Sequence, residues 1–287
     1  MERCLIVGVL NCTPDSFSGG GTVEAPVAIE AGLAMVEAGA DWIDVGGEST
    51  RPGARAVPAE EEQARVLPVI EGLARALGGR VVLSIDTYKA STARAALDAG
   101  ATVVNDVSGG LLDADLLAVA GGAGATVVLG HLRGEPATMM EHVAFGDVVA
   151  EVTAELEERV AAAREAGCTK LWADPGIGFG KQLEHNLELL GALPEIVASL
   201  AGSGVPVMVG VSRKGFIGQL TGKAVGDRQL GTAAAVTASV LGGAAAVRVH
   251  DVAQARDVVA VARAIGAARD ARNIRLSEVP VRRPRRI

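Results

Sequence analysis

Eight short apolar runs recur along the chain, separated by longer amphipathic stretches. They lie at residues 5–10, 42–45, 81–85, 102–104, 126–129, 171–173, 207–211 and 245–249. Unbroken apolarity over so few residues is typical of parallel strands that are buried on both faces. Because eight strands alternating with helices can close a parallel sheet without leaving an edge, the pattern predicts an α/β protein with a (β/α)8 TIM barrel. An open, doubly wound sheet is the alternative.

The stretches between the runs have helical periodicity. One of them places four apolar residues on a single helical face: Val148, Val152, Leu156 and Val160. Three stretches reach a glycine just before the next strand, at Gly39, Gly100 and Gly167. Glycine readily adopts the left-handed conformation that ends a helix, so these positions predict helix ends. The stretches are therefore interpreted as the helices that cover the barrel.

The chain of 287 residues has no proline-rich or low-complexity linker in its interior. We therefore expect one barrel domain over residues 1–275, followed by a basic tail over 276–287 to which no function is assigned. The formal net charge of −7 and an aromatic content of only 2% disfavour nucleic acid or an anionic membrane as a partner, since both need a basic surface and the former also uses stacking rings.

The three cysteines, Cys4, Cys12 and Cys168, are odd in number and widely spaced. This spacing indicates neither a disulfide framework nor a zinc site, so we expect reduced thiols. The chain starts without the apolar stretch of a signal peptide, and its apolar runs are too short to span a membrane. The sequence thus predicts a soluble, cytoplasmic protein.

Polar residues are concentrated directly after the predicted strands. The segments concerned are 11–18, 46–53, 86–89, 105–109, 131–134, 174–181, 212–215 and 248–251. The connections from helix to strand contain mostly Gly, Ala and Asp. Active sites of α/β barrels lie at the carboxyl ends of the strands, where these segments converge, whereas the opposite face contributes stability. The asymmetry predicts an active site at this end of the barrel.

Each polar residue taken alone has a simpler explanation. Asp86 suits a helix N-cap, Asn105 a turn, and Asp174 the capping of a loop; His250 and Asp251 suit a helix start. Together, however, buried carboxylates and an amide require partners, because an unpaired buried charge is costly. A heterocycle presenting adjacent N–H and NH2 groups would pair with one carboxylate through two parallel hydrogen bonds. Asp174, Asn105 and Lys214 suit the recognition of such a ring.

A second set of side chains suits an anion. It comprises Asn11, Arg51, Ser212, Arg248 and His250. The loops after the seventh and eighth strands are the usual phosphate-binding segments of such barrels, and arginine offers a planar fork that matches phosphate oxygens. The sequence therefore predicts a site with a ring-binding side and a phosphate-binding side.

Six ordered motifs, at residues 10–18, 44–53, 105–109, 174–181, 212–214 and 248–251, resemble those of the dihydropteroate synthase family, and the match extends over most of the chain. The resemblance implies a transferase of folate biosynthesis. In that reaction 4-aminobenzoate displaces diphosphate from the methylene carbon of 7,8-dihydropterin-6-ylmethyl diphosphate and gives 7,8-dihydropteroate. The resemblance also implies a barrel fold, magnesium and a homodimer.

The same resemblance implies roles for individual residues. The pterin would be held by Asp86, Asn105, Asp174 and Lys214, with Arg248 packed beside it. Asn11 would help to bind magnesium, and the diphosphate would contact Arg51, Arg248 and His250. The aminobenzoate pocket would consist of Thr50, Pro52, Phe179, Ser212 and Lys214, covered by Phe17. The residues expected to act in catalysis are Asp86, Lys214, Asn11, Arg248 and His250.

The chemistry agrees with these assignments. Departure of diphosphate leaves positive charge on the methylene group and the ring, so catalysis needs stabilisation of the leaving group and of that cation, and no protein nucleophile. Asp86 is the group expected near the developing cation. Loops that exclude water would prevent water from reacting with this cation.

The chain departs from the usual family sequence at three places. Cys12 stands where valine is usual, Gly19 where an acidic residue is usual, and residues 130–132 read Gly-His-Leu instead of Met-His-Met. We expect the first change to be neutral, Gly19 to loosen the first loop, and Gly130 to alter the shape of the pterin pocket.

Two other functions share part of this pattern. Pterin-binding barrels that transfer a methyl group from methyltetrahydrofolate to a corrinoid protein have similar carboxylate and amide positions. The segment 212–214, the first-loop motif and the pair Arg248 and His250 favour the synthase, because a diphosphate leaving group needs cations. A homologue that only binds pterin would be expected to lack Asn11, Asp86, Lys214, Arg248 or His250, and all five are present.

Overall fold

A computed structural model describes residues 3–13, 25–51, 53–141 and 143–277, the last five by their backbone alone. Within these residues, strands and helices alternate along the whole chain. The strands are β1 (Leu5–Asn11), β2 (Trp42–Gly46), β3 (Val82–Asp86), β4 (Val103–Asp106), β5 (Thr126–Gly130), β6 (Lys170–Asp174), β7 (Met208–Gly210) and β8 (Ala246–Val249).

The α-helices cover the strands. They are α1 (Ala25–Ala38), α2 (Ala59–Leu77), α3 (Ala90–Asp98), α4 (Leu116–Gly122), α5 (Val148–Glu165), α6 (Leu183–Gly191), α7 (Leu193–Ala201), α8 (Gly215–Thr221), α9 (Gln229–Leu241) and α10 (Val252–Ser277). Single turns of 3-10 helix lie at Met139–Glu141 and Val225–Asp227. Helix α10 extends two residues past the predicted domain boundary, and most of the predicted tail lies outside the described residues.

The described strands form one parallel sheet in the order β6-β5-β4-β3-β2-β1-β8-β7. Its two end strands meet, because Ala173 of β6 forms a parallel bridge with Val207 and its backbone N–H donates to the Pro206 carbonyl at 3.0 Å. The sheet is thereby closed into a (β/α)8 barrel. The predicted fold is confirmed, each predicted strand lies within two residues of an observed one, and the open sheet is excluded.

Alternation along the strands determines what faces the barrel interior. One buried cluster contains Trp42, Val103, Ala246 and the ring of Trp172, which packs edge-on to Trp42 with ring centres 5.2 Å apart. Side chains two residues apart on a strand point to the same face. The next inward residues of these four strands are polar: Asp44, Asn105, Asp174 and Arg248. The barrel is therefore apolar at its lower level and polar at its mouth.

The outward-facing residues pack against the helices in a larger core. The face of α5 predicted from the sequence is buried as expected. Gly39, Gly100 and Gly167 follow α1, α3 and α5 with φ angles of 107°, 115° and 89°, a region that favours glycine. The predicted helix ends are thus confirmed. Among the helices that the structure describes, none combines the length and the apolarity needed to cross a membrane.

Candidate active site

Asp44 is the centre of a hydrogen-bonded group at the mouth of the barrel. Its Oδ2 accepts from Asn105 Nδ2 at 2.8 Å and from Arg248 Nε at 2.6 Å, and Arg248 Nη2 donates to Asp86 Oδ2 at 2.6 Å. Side chains from β2, β3, β4 and β8 are thereby joined. No role was predicted for Asp44, although its position two residues after Trp42 and at the start of the motif 44–53 marked it as an inward residue.

Two carboxylates share one guanidinium in this group. Burial raises the pKa of Asp86 to about 7, and Arg248 opposes the shift. Although burial acts to lower the pKa of Arg248, the charges of Asp44 and Asp86 raise it above its usual range. Arg248 is therefore permanently charged, and Asp86 is the member of the group that exchanges a proton near neutral pH.

Asp174 and Lys214 lie on the neighbouring wall of the mouth. Asp174 Oδ1 accepts from the backbone N–H of Gly176 at 2.8 Å, so this carboxylate does cap the loop after β6. Burial raises the pKa of Asp174, opposed by that hydrogen bond and by Lys214. Lys214 directly precedes α8, and its Nζ lies 3.7 Å from the centre of the Phe179 ring. Burial lowers the pKa of Lys214 to about 8, although Asp174 acts to raise it.

Ser212 and His250 form a pair between the loops after β7 and β8. The backbone N–H of His250 donates to Ser212 Oγ at 3.2 Å, and His250 Nδ1 lies 3.0 Å from the same oxygen. Burial lowers the pKa of His250 to about 3, assisted by Arg248, Arg213 and Arg51. In the neutral ring the Ser212 hydroxyl donates to Nδ1, which leaves Nε2–H as a donor for an anion. Asp251, in contrast, caps α10 by accepting from Gln254 N at 3.0 Å.

Asn11 and the loop after β2 complete the described mouth. A methyl group on Gly46 would lie 3.7 Å from Asn11 Oδ1 and 3.6 Å from Asp86 Oδ2, so both side chains flank this position. Thr50 is half-buried and Arg51 is exposed, and the Arg51 charge contributes to the lowered pKa of both His250 and Lys214. Phe17, Gly19 and Pro52 lie outside the described residues, and the predictions for them remain predictions.

The family model for pterin binding enzymes matches residues 7–250 of the chain. A dihydropteroate synthase from Synechocystis sp. is 42% identical over 92% of this chain and 91% of that protein. The chain belongs to the dihydropteroate synthase family of pterin-binding enzymes. The resemblance inferred from the six motifs is thus confirmed.

Solved structures of this family have the same fold. The dihydropteroate synthase of Xanthomonas albilineans with 4-aminobenzoic acid has a TM-score of 0.84 and 44% identity, covering 93% of this chain and 94% of that one. The enzyme from the same organism in complex with 7,8-dihydropteroate has a TM-score of 0.81 and 41% identity, covering 93% and 95%. The roles of individual residues in the present chain stay predictions.

Gly130 is one of the three positions at which the sequence was expected to depart from that of the dihydropteroate synthase family. A Cβ atom there would lie 2.6 Å from the Val107 carbonyl oxygen and 2.8 Å from that of Asp106. The backbone that follows Asn105 therefore lies directly against the end of β5. A side chain at this position would displace the loop after β4, so the space that the missing side chain leaves is occupied by backbone.

The loop that carries Thr50 and Arg51 is anchored to the segment after β3 by Glu48. This buried carboxylate accepts from Tyr88 Oη at 2.8 Å and from Val57 N at 3.2 Å, and it forms an ion pair with Lys89. Lys89 also binds Glu62 of α2 at 2.9 Å. These contacts hold the loop from both sides, although the sequence provided no reason to select Glu48.

The donor set of the mouth suits one kind of metal ion. Over the described ranges, no group of three or more His, Cys, Asp or Glu side chains is placed to hold a metal. Magnesium in phosphate chemistry takes one or two protein ligands and completes its shell with water and substrate phosphates. Asn11, with one amide oxygen at the end of β1, would fit an ion of this kind that also binds the phosphate oxygens of a substrate.

Proposed function

We propose that the chain is a dihydropteroate synthase that joins 7,8-dihydropterin-6-ylmethyl diphosphate and 4-aminobenzoate in folate biosynthesis. The single observation that carries the proposal is the polar mouth of the barrel, in which Asp44, Asp86, Asn105 and Arg248 form one connected group beside Asp174 and Lys214. These groups provide both a surface for a polar bicyclic ring and cations for a leaving group.

The hydrogen bonds within the mouth determine which atoms remain available to bind the pterin. The side-chain NH2 group of Asn105 donates to Asp44. The side-chain oxygen Oδ1 of Asn105 is therefore available to accept from the ring. Asp174 uses one carboxylate oxygen for the loop and has capacity to accept from adjacent N–H and NH2 groups. Lys214 would donate to a ring acceptor. The set matches a heterocycle with both donors and acceptors on its edge.

The leaving-group side contains Arg51, the Nε2–H of His250 and, through its guanidinium, Arg248. Asn11 would hold magnesium, which when bound would neutralise charge on the departing diphosphate. The amine nitrogen of 4-aminobenzoate forms a bond to the methylene carbon, the bond from that carbon to the diphosphate oxygen breaks, and one amine proton is released. Donors that are already oriented stabilise the developing negative charge without reorganisation.

Asp86 would act on the carbon side of the reaction. It is partly buried and lies within hydrogen-bonding distance of Arg248, so its ionised form would place a negative charge next to the ring on which positive charge develops. Phe179 and Lys214, in contact with each other, would form the aminobenzoate side together with Thr50, Ser212, Pro52 and Phe17.

We further propose that the protein works in the cytoplasm as a homodimer and that it has no nucleic-acid partner. The three cysteines are free and buried, which suits a reducing compartment. Large apolar side chains are exposed on α9 and α10, at Leu230, Val261 and Ile265, which suits a surface covered by a second copy. The net charge of −7 supports the absence of a nucleic-acid partner, because nucleic acids are themselves negatively charged.

The experiment combines the purified protein with magnesium, the dihydropterin diphosphate and 4-aminobenzoate. We expect equal amounts of 7,8-dihydropteroate and free diphosphate, and no turnover with Asp174→Ala or Lys214→Ala. Wild-type rates in either variant would refute the role given to that residue. Pterin binding without product would favour a protein that only binds pterin, and methyl transfer to a corrinoid protein would favour the rival enzyme.

A further inference from the structure

Lys181 is a buried cation for which the reaction described above has no use. It ends the loop after β6, and only 4% of its surface is exposed. Its Nζ lies 2.9 Å from His131 Nδ1, 3.1 Å from the Phe179 carbonyl oxygen and 3.4 Å from the His131 carbonyl oxygen. An ammonium group has three donors and no acceptor. The three surrounding atoms therefore provide one acceptor for each N–H donor of the ammonium group.

His131 has the protonation state that this arrangement needs. Burial lowers the pKa of its ring to about 3, assisted by Lys181, so the ring is neutral. Its Nε2 lies 3.0 Å from Glu155 Oε2. Because a carboxylate only accepts, the ring proton is on Nε2, and Nδ1 is the acceptor for Lys181. Burial lowers the pKa of Lys181 to about 7, although Asp174 opposes the shift. The two carbonyl contacts need only two N–H donors, which the neutral amine also has.

The backbone around Phe179 is held on both sides. The N–H of Gly178 donates to Asn186 Oδ1 at 2.6 Å, and the carbonyl of Phe179 accepts from Lys181. The ring between these two points contacts Lys214. Gly176, in the same loop, has a φ of 68°, and a Cβ there would lie 2.0 Å from the His131 carbonyl oxygen. The loop is thus packed against the end of β5 at Gly176, while Lys181 holds it at Phe179.

We propose that Lys181 is a positioning residue: by binding the carbonyls of His131 and Phe179, it joins the ends of β5 and β6 and holds the Phe179 ring against Lys214. Lys181 does not touch the reacting atoms. The expected effect on substrate binding rests on the proposed function, in which Phe179 lies on the aminobenzoate side of the site. Loss of Lys181 therefore affects the second substrate more than the pterin.

Lys181→Met removes the charge and the donors while keeping the unbranched part of the side chain up to Cε. We expect the KM for 4-aminobenzoate to rise about tenfold, because a small displacement of a positioning group costs binding and rate, while the KM for the dihydropterin diphosphate changes less than about twofold. Lys170→Met is the matched control. Lys170 lies at the other end of β6, and its Nζ donates to the Gly124 carbonyl at 3.2 Å.

An unchanged KM for 4-aminobenzoate in Lys181→Met would overturn the proposal, and so would an equal rise in both KM values. A lower yield of active enzyme with both KM values unchanged indicates a purely structural role and also overturns it. If instead the wild-type protein forms no dihydropteroate, the proposed function fails, and the contacts of Lys181 are still tested by the next measurement.

Nitrogen-15 NMR of the wild-type protein tests the arrangement even if Lys181→Met does not fold. The chain has only four histidines, so the His131 ring can be assigned by single substitutions of the others. Below pH 7 we expect a neutral ring with the proton on Nε2 and an accepting Nδ1. A proton on Nδ1 would contradict the contact with Lys181 and overturn the proposal.

Discussion

Asp44 contributes one carboxylate oxygen to two of the side chains that are assigned to the pterin. Because Asn105 donates its NH2 group to this oxygen, the amide cannot turn without losing a charge-assisted hydrogen bond, and Arg248 is held in the same way. A residue to which no substrate contact is assigned can therefore determine the orientation of two residues that are assigned to the pterin. Lys181 acts on Phe179 by the same principle, at the neighbouring wall.

Asp44→Asn is expected to lower kcat/KM about 10- to 100-fold, because hydrogen bonds to a charged group contribute about 1.5–3 kcal/mol and the neutral amide offers only one acceptor. Steady-state kinetics with both substrates measure the effect. The matched control is Asp41→Asn, since Asp41 lies at the opposite end of β2 and pairs with Arg3. Equal activity of Asp44→Asn and the wild type would contradict this role.

The pH dependence of kcat/KM is set by two groups with displaced pKa values. Asp86 carries its negative charge only above about pH 7, and Lys214 keeps its positive charge only below about pH 8. Activity therefore falls as the pH drops through 7, because Asp86 becomes protonated, and falls again as the pH rises through 8, because Lys214 becomes neutral. Initial rates across this range measure the profile. A flat profile from pH 5 to pH 9 would contradict it.

At the scale of elements, the loops after the strands are held by polar contacts with one another. Glu48 joins the loop after β2 to the segment after β3, and Lys181 joins the end of β5 to the loop after β6. The loop after β4 instead meets the end of β5 backbone to backbone, because Gly130 has no side chain. The loops at the mouth therefore hold one another in place. We expect substitutions in these loops to change the shape of the mouth.

Gly130→Ala is expected to destabilise the protein by about 1–3 kcal/mol, since the added methyl group lies too close to the Val107 carbonyl and must move the loop after β4. We also expect a higher KM for the pterin substrate, because Asn105 directly precedes that loop. Chemical denaturation and steady-state kinetics measure both effects.

Gly122→Ala is the control for this substitution. A Cβ at Gly122, the last residue of α4, meets nothing within 4 Å, so alanine there leaves stability unchanged or raises it by up to about 1 kcal/mol. Equal stability of the two variants would show that the loop after β4 gives way without cost.

For the whole molecule, the pairing of the last strand with the first is what brings Asp44 and Arg248 together. They are 204 positions apart in the sequence, and β8 pairs with β1 on the side of β1 opposite to β2. Apolar side chains exposed on the outer helices α9 and α10 form the surface that we propose a second copy covers.

Light scattering after gel filtration is expected to give twice the chain mass of 29.1 kDa. A charge within the apolar surface should oppose association, so Val261→Asp with Ile265→Asp is expected to shift the protein toward the monomer. Leu187→Asp on α6, which replaces another exposed apolar residue, is the control. A monomeric wild type, or equal dimerisation of all variants, would contradict this surface.

The eight strands, the helix ends at glycine and the polar segments at one end of the barrel could be predicted from the sequence, because they depend on local periodicity and on neighbours a few residues away. Which polar groups share hydrogen bonds could not. Asp44 gains its role from β4 and β8, Lys181 from His131, and Gly130 from the loop after β4. These contacts join segments that are distant along the chain, and only the closure and register of the barrel decide which of them meet.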